Sequence, residues 1–308
     1  MGGLDRISDL PESLLAEILS HLPTKVSVKT SLMSKRWGSL WRRVPGLEVT
    51  LDDFRGDGQA MDSFVNKFLE SNKDSRMKKF KIQSMQCNND RLMEWIDTAV
   101  AHGVQELYVE TTNALYPTQE SFEINTLISL KLMCVGLKIM HMEDVWYEYD
   151  PLIVEKIISS CQTLEDLTMI SRKTMPAGLF STIDEKNTCV RSQTLKRFRL
   201  IFENTWGGTN FYVEIDAPRL EYLCIRDYQS DRIVVKNLSS LSMVDIDTNF
   251  SVTLEIDMIF SNKRDTIKDF FAGISGVKYM IISHATLEVF YLYSEYVKIP
   301  KFNNLLLF

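Results

Sequence analysis

The sequence predicts an α/β chain in two unequal parts: three short helices in the first fifty residues, then an irregular solenoid with a parallel sheet on its concave face and helices and loops outside. Three observations lead there. Apolar residues between Leu10 and Val49 keep helical spacing between recognisable start and stop signals. Beyond Val49 a six-residue signature, apolar at its first, fourth and sixth positions, recurs about nine times. Stretches of helical periodicity lie between several copies. With 45% hydrophobic and 25% charged residues, the 308-residue chain is ordinary globular material, neither collagen-like, low-complexity nor wholly disordered.

The first helix is expected to open at Pro11, whose fixed φ suits a starting position, with Asp9 and Glu12 beside the positive end of the dipole. Leu14, Leu15, Ile18, Leu19 and Leu22 form its apolar stripe, and His21 and Pro23 close it. Thr24 is placed to cap a second helix with Val26, Val28 and Leu32, and Ser34 a third with Trp37, Leu40 and Trp41, ended by Pro45 and Gly46. Three helices in about forty residues bury too little surface to stand comfortably alone. Their excess apolar surface calls for a cover, supplied by a partner protein or by the rest of the chain.

Leu10-Pro11-Glu12-Ser13-Leu14-Leu15, Ile18-Leu19-Ser20-His21-Leu22-Pro23-Thr24-Lys25, Ser34-Lys35-Arg36-Trp37 and Leu40-Trp41 strongly resemble, in order and spacing, the F-box of plant F-box proteins. The resemblance implies docking on the Skp-type adaptor of an SCF ubiquitin ligase and, through it, association with cullin and RING subunits. The residues it assigns to the adaptor face are Leu10, Pro11, Leu14, Leu15, Ile18, Leu19, Leu22, Pro23, Trp37, Leu40 and Trp41. Val26 departs from the family, where a polar or acidic residue usually follows the Leu-Pro-Thr-Lys run.

The signature copies are Met77-Phe80-Ile82, Val104-Leu107-Val109, Leu127-Leu130-Leu132, Leu164-Leu167-Met169, Leu195-Phe198-Leu200, Leu220-Leu223-Ile225, Leu238-Leu241-Met243, Val277-Met280-Ile282 and Phe302-Leu305-Leu307. They read as loose leucine-rich repeats, each a short strand with alternate residues inward. Arg91 to Val100 and a segment opening at Asp150-Pro151 are the expected helices between strands. The domain reading is therefore an F-box over 1–50, a linker and first repeat helix over 51–74, and a leucine-rich-repeat solenoid over 75–308.

Trp95-Ile96-Asp97, Gly103-Val104-Gln105, Leu164-Glu165-Asp166-Leu167, Ala217-Pro218-Arg219-Leu220-Glu221-Tyr222-Leu223 and Val235-Lys236-Asn237-Leu238 extend the resemblance to plant F-box/leucine-rich-repeat proteins of the F-box/LRR/FBD type. Relatives of that type usually continue past Ile299-Pro300-Lys301-Phe302 into further repeat and an FBD segment. On that reading the chain is truncated, and a frayed or self-associating C-terminus is expected.

Catalytic patterns are missing from the sequence. His21, His102, His141 and His284 sit at no triad or ligand spacing, and His141-Met142-Glu143-Asp144 reads as a solvated acidic loop. The five cysteines are scattered, as suits buried thiols of a reducing compartment. No cofactor is expected, and the chain reads as a non-enzymatic subunit. Thirty-five basic against 41 acidic residues, a net charge of −6, disfavour a nucleic-acid partner. The apolar runs fall short of a signal peptide or membrane span, so an intracellular place, nucleus or cytoplasm, is expected.

Function then falls to the outward strand positions, the third, fifth and seventh of each copy. There Arg197, Arg199, Tyr222 and Arg226 converge as a candidate substrate face, suited to an acidic or phosphorylated protein. Alternatives on the same scaffold are a hormone-like small-ligand co-receptor, or an adaptor-binding decoy without substrate capture.

Overall fold

A computed structural model describes residues 7, 9–73, 76–84, 89–111, 136–143, 155, 158–159, 161–171, 186–202, 211–228, 230–250, 252, 261–296 and 298–306. The chain forms two compact units, 1–137 and 138–308.

In the first unit, α1 (Glu12–Ser20) follows Pro11 as expected, and α2 (Thr24–Thr30) follows Pro23. Pro23, not Thr24, occupies the position before α2; Thr24 is buried and its hydroxyl accepts from Glu48 N at 2.8 Å. The expected third helix is instead a run of turns ending in a 3₁₀ turn, Leu40–Arg43. Ser34, Gly38 and Ser39 are weak helix formers, and burial of Trp37 and Leu40 decides the local path. Then come β1 (Gly46–Thr50), a 3₁₀ turn at Leu51–Phe54 and α3 (Gly58–Ser71). Arg55-Gly56-Asp57-Gly58, within the expected linker, is a defined turn: Arg55 and Gly56 take φ of 57° and 83°, and Asp57 caps α3 by accepting from Ala60 N at 3.0 Å. β2 (Lys79–Ser84), α4 (Asn89–Ala101) and β3 (Glu106–Thr111) complete it, with β1, β2 and β3 paired in parallel. α4 realises the expected Arg91–Val100 helix.

The second unit holds a parallel sheet of β4 (Ile139–Glu143), β5 (Asp166–Ser171), β7 (Arg197–Phe202), β9 (Tyr222–Asp227), β11 (Met243–Asp247) and β12 (Tyr279–Ile282), paired in that order. A recurring device sets its register. The carbonyl just before a strand accepts from two successive amides of the next repeat: Glu165 O from Lys196 and Arg197, Lys196 O from Glu221 and Tyr222, Glu221 O from Ser242 and Met243, Ser242 O from Lys278 and Tyr279, all at 2.8–3.1 Å. Pro45 O and Lys78 O do the same in the first unit.

The same bonds revise two expected copies. Met243 aligns with Tyr222, so that signature is Leu241-Val244-Ile246, three residues later than expected, with all three side chains buried. Residues 298–306 contain no strand; Leu305 N donates to Phe302 O at 3.4 Å and Leu306 N to Lys278 O at 2.9 Å, placing Leu305 where Phe302 was expected. The tail expected to fray is tied there, and Asn304 Nδ2 donates to Gly276 O at 3.2 Å. The Leu127-Leu130-Leu132 copy lies outside the described residues, as does most of the helix expected after Asp150-Pro151. β1 and β4 carry copies that the sequence reading missed, Val44-Leu47-Val49 and Leu137-Met140-Met142.

Helices were expected between strands, but three consecutive connections carry strands instead. β6 (Lys186–Arg191), β8 (Phe211–Asp216) and β10 (Ser230–Lys236) form a second parallel sheet. At its centre the Glu214 carboxylate accepts from Tyr212 Oη at 2.7 Å, Lys236 Nζ at 3.0 Å and Arg191 Nη2 at 3.1 Å. The Tyr212 bond foremost, then Lys236 and Arg191, hold it at about 2 against burial. α5 (Ser261–Ile274) packs on β10 through Gly273, where an added Cβ would stand 2.2 Å from Val235 Cγ2. α6 (His284–Tyr296) docks on the end of β11: Thr286 Oγ1 accepts from Thr248 N and donates to Thr248 O, both at 2.8 Å.

Two outcomes follow for stability. Gly273→Ala costs about 1–3 kcal/mol by overpacking against Val235, and Val235→Ala restores part of it, as urea denaturation of the single and double variants will measure. Because Glu214 titrates near 2 in the fold and at its ordinary 4.5 when unfolded, its contribution is full above pH 4.5 and fades as pH falls toward 2. The stability gap between wild type and Glu214→Gln therefore narrows over that window.

Candidate functional site

The first unit displays a concentration of exposed apolar side chains between Ile7 and Met33. Leu14 and Ile18, one turn apart on α1, share an outward face and are 51% and 43% exposed. Pro11 and Pro23 are exposed beside them, while Leu10, Leu22 and Trp41 are half-buried. The other four residues assigned to the adaptor face point inward: Leu15, Leu19, Trp37 and Leu40 form a core with Val44. Trp41 stacks on α3, its ring centroid 6.2 Å from those of both Phe64 and Phe68. Arg43 pairs with Glu12, and Arg36 donates to Leu10 O, tying the turn region back to α1.

Sequence reasoning missed Ile7, Val26, Leu32 and Met33 as part of this display. Leu32 and Met33 are the most exposed, at 86% and 74%, because α2 ends at Thr30 before the predicted stripe does. The signal was present at Val26, an apolar residue in a position expected to be polar.

On the sheet of the second unit, register brings the four predicted substrate residues together: Arg197 opposes Tyr222, Arg199 opposes Cys224 and Ile201 opposes Arg226. Their charge is largely answered within the chain. Arg197 Nε donates to Asp166 at 2.7 Å and Arg226 Nη2 to Asp245 at 3.4 Å, while the Arg199 guanidinium lies 5.2 Å from the Tyr222 ring centroid. Tyr228 donates to Asp247; burial, then this bond, pushes its hydroxyl up to about 12. A patch read as basic is therefore close to neutral.

His141 lies 3.1 Å from Glu143, and Asp144 is outside the described residues. Among the described residues no group of three His, Cys, Asp or Glu side chains is placed to hold a metal ion, and no helix is long and apolar enough to cross a membrane. Cys161, Cys189 and Cys224 are free thiols, and burial raises Cys189 and Cys224 above their ordinary pKa.

The F-box domain family matches residues 7–48, and the Leucine Rich Repeat family matches residues 136–162. An Arabidopsis thaliana F-box/FBD/LRR-repeat protein is 48% identical over 98% of this chain and 72% of its own length. The chain belongs to the F-box/FBD/LRR-repeat proteins. A second such protein from the same plant, called putative, is 45% identical over 98% of this chain and 72% of its own length. An FBD-associated F-box protein, also from Arabidopsis, is 36% identical over 99% of this chain and 73% of its own length. F-box domains bind Skp-type adaptors, and the general role of F-box/LRR proteins is that of a non-catalytic substrate adaptor. Residues 7–48 include most of β1, so the F-box match runs directly into the first strand of the repeat sheet.

The division between core and display has a measurable consequence. Trp37→Ala removes a buried indole and destabilises the F-box by about 3–5 kcal/mol, seen as an earlier denaturation midpoint. Leu14→Ala, on the exposed face, leaves that midpoint nearly unchanged.

Proposed function

We propose that this F-box/FBD/LRR-repeat protein is a substrate-recognition subunit of an SCF-type ubiquitin ligase. The F-box, residues 1–50, docks on the Skp-type adaptor and through it on cullin and RING subunits. The repeats over 75–308 select the protein to be ubiquitinated. The observation that carries this reading is the outward apolar set of Pro11, Leu14, Ile18, Pro23, Val26, Leu32 and Met33, which a buried core of Leu15, Leu19, Trp37 and Leu40 holds in place. Exposed apolar surface of this extent costs free energy in water and is relieved by a hydrophobic partner. Leu10, Leu22 and Trp41 flank the contact.

The chain itself performs no bond chemistry and needs no cofactor in this role. It supplies proximity, holding substrate lysines near the charged conjugating enzyme at high effective concentration. Arg197, Arg199, Tyr222 and Arg226 belong to the substrate face.

Co-purification with a Skp-type adaptor tests the docking. Wild type retains the adaptor, and Leu14→Ala with Ile18→Ala reduces retention at least tenfold while circular dichroism is unchanged. A folded wild-type protein that captures no adaptor overturns the ligase reading.

A further inference from the structure

The neutralised arginines share their face with a band of apolar side chains. Outward residues of neighbouring strands form continuous rows across the sheet. The first row runs Arg197, Tyr222, Met243, Tyr279, and the second Arg199, Cys224, Asp245, Ile281. In the third, Arg226 opposes Asp247. Large apolar side chains thus crowd the side of the face toward β12, where Tyr279 is 40% and Ile281 52% exposed.

Two charges on this face lack an ion-pair partner among the described residues. Arg199 on β7 has only the Tyr222 ring and hydroxyl, and Asp247 on β11 accepts from the neutral Tyr228 hydroxyl, while Arg226, which stands opposite and attracts it, is bonded to Asp245 instead. They stand two strands and one row apart, on the order of 12 Å from strand spacing and rise. An extended segment covers that distance in about three or four residues.

We propose that the substrate is gripped through an extended protein segment with an acidic side chain at Arg199, a basic side chain at Asp247, and large apolar side chains seated on Tyr222, Met243, Tyr279 and Ile281. This rests on the receptor reading above and replaces the acidic or phosphorylated partner expected from sequence. A phosphorylated segment would face Arg197 and Arg226 already engaged by Asp166 and Asp245, and Asp247 beyond them, which repels it. A mixed-charge segment answers both unpaired charges, and its apolar residues supply the affinity.

The test uses the full chain and fluorescein-labelled synthetic peptides with two to four Leu or Phe residues between end charges: Glu and Lys, Glu and Glu, or Lys and Lys. In fluorescence anisotropy, wild type binds the mixed peptides at least fivefold more tightly than either like-charged set. Arg199→Glu shifts the preference to Lys and Lys, and Asp247→Lys to Glu and Glu. Such a reversal is specific and cannot arise from misfolding. Ile281→Ser weakens all peptides about tenfold. Equal binding of the three sets, no binding of any, or variants that leave the preference unchanged overturns the proposal. Adaptor capture by the unaltered chain is measured in parallel: its loss alone refutes the ligase reading and leaves the peptide preference standing.

Discussion

One carbonyl shared by two amides of the next repeat is the constraint on which the rest of the fold depends. Each such bond, as at Lys196 O with Glu221 and Tyr222, docks the start of one strand on the start of its neighbour. Because strand side chains alternate, a slip of one residue would send every apolar residue outward. The bond and the apolar signature therefore enforce one another: Leu220, Leu223 and Ile225 are buried only when Tyr222 stands opposite Arg197. The rows of the outward face, and any partner they select, are consequences of that register. A repeat stacked this way draws its stability from its neighbours rather than from a core of its own.

The F-box meets the opposite difficulty, too little chain for a full core. Its solution divides a single helix between two tasks. On α1, Leu15 and Leu19 face inward while Leu14 and Ile18, on the adjoining face, stay in water. Trp37 and Leu40 complete the core from a turn rather than a helix, and Trp41 is spent on α3. Stability and display are thereby assigned to different residues of one short motif, so one task is open to mutation without disturbing the other.

Much of this was legible in the sequence. The signature located β2, β3, β5, β7, β9 and β12 because three buried side chains per strand leave a strong mark, and Pro11 and Pro23 marked the two helix starts. Other parts were obscured by competing physics. Leu238-Leu241-Met243 satisfies the apolar pattern as well as Leu241-Val244-Ile246 does, and only the hydrogen bonds to Glu221 O separate them. The third helix failed because burial of Trp37 outweighed local periodicity. The second sheet went unread although Tyr212-Val213-Glu214-Ile215 and Ile233-Val234-Val235 are strand-like, since helices are the commoner connection. The candidate substrate face was placed correctly side by side, but its charge was misjudged: Asp166 and Asp245 come from other strands, and spacing along one strand says nothing of partners across the sheet.

Hydrogen exchange at the entry to β11 tests the register most directly. The amides of Ser242 and Met243, bonded to Glu221 O, are expected to exchange as slowly as those of Glu221 and Tyr222 in the preceding repeat, while Ser239 and Ser240 exchange quickly. Protection at Ser239 and Ser240 with rapid exchange at Ser242 and Met243 would contradict it, and would undo the rows on which the substrate face is built.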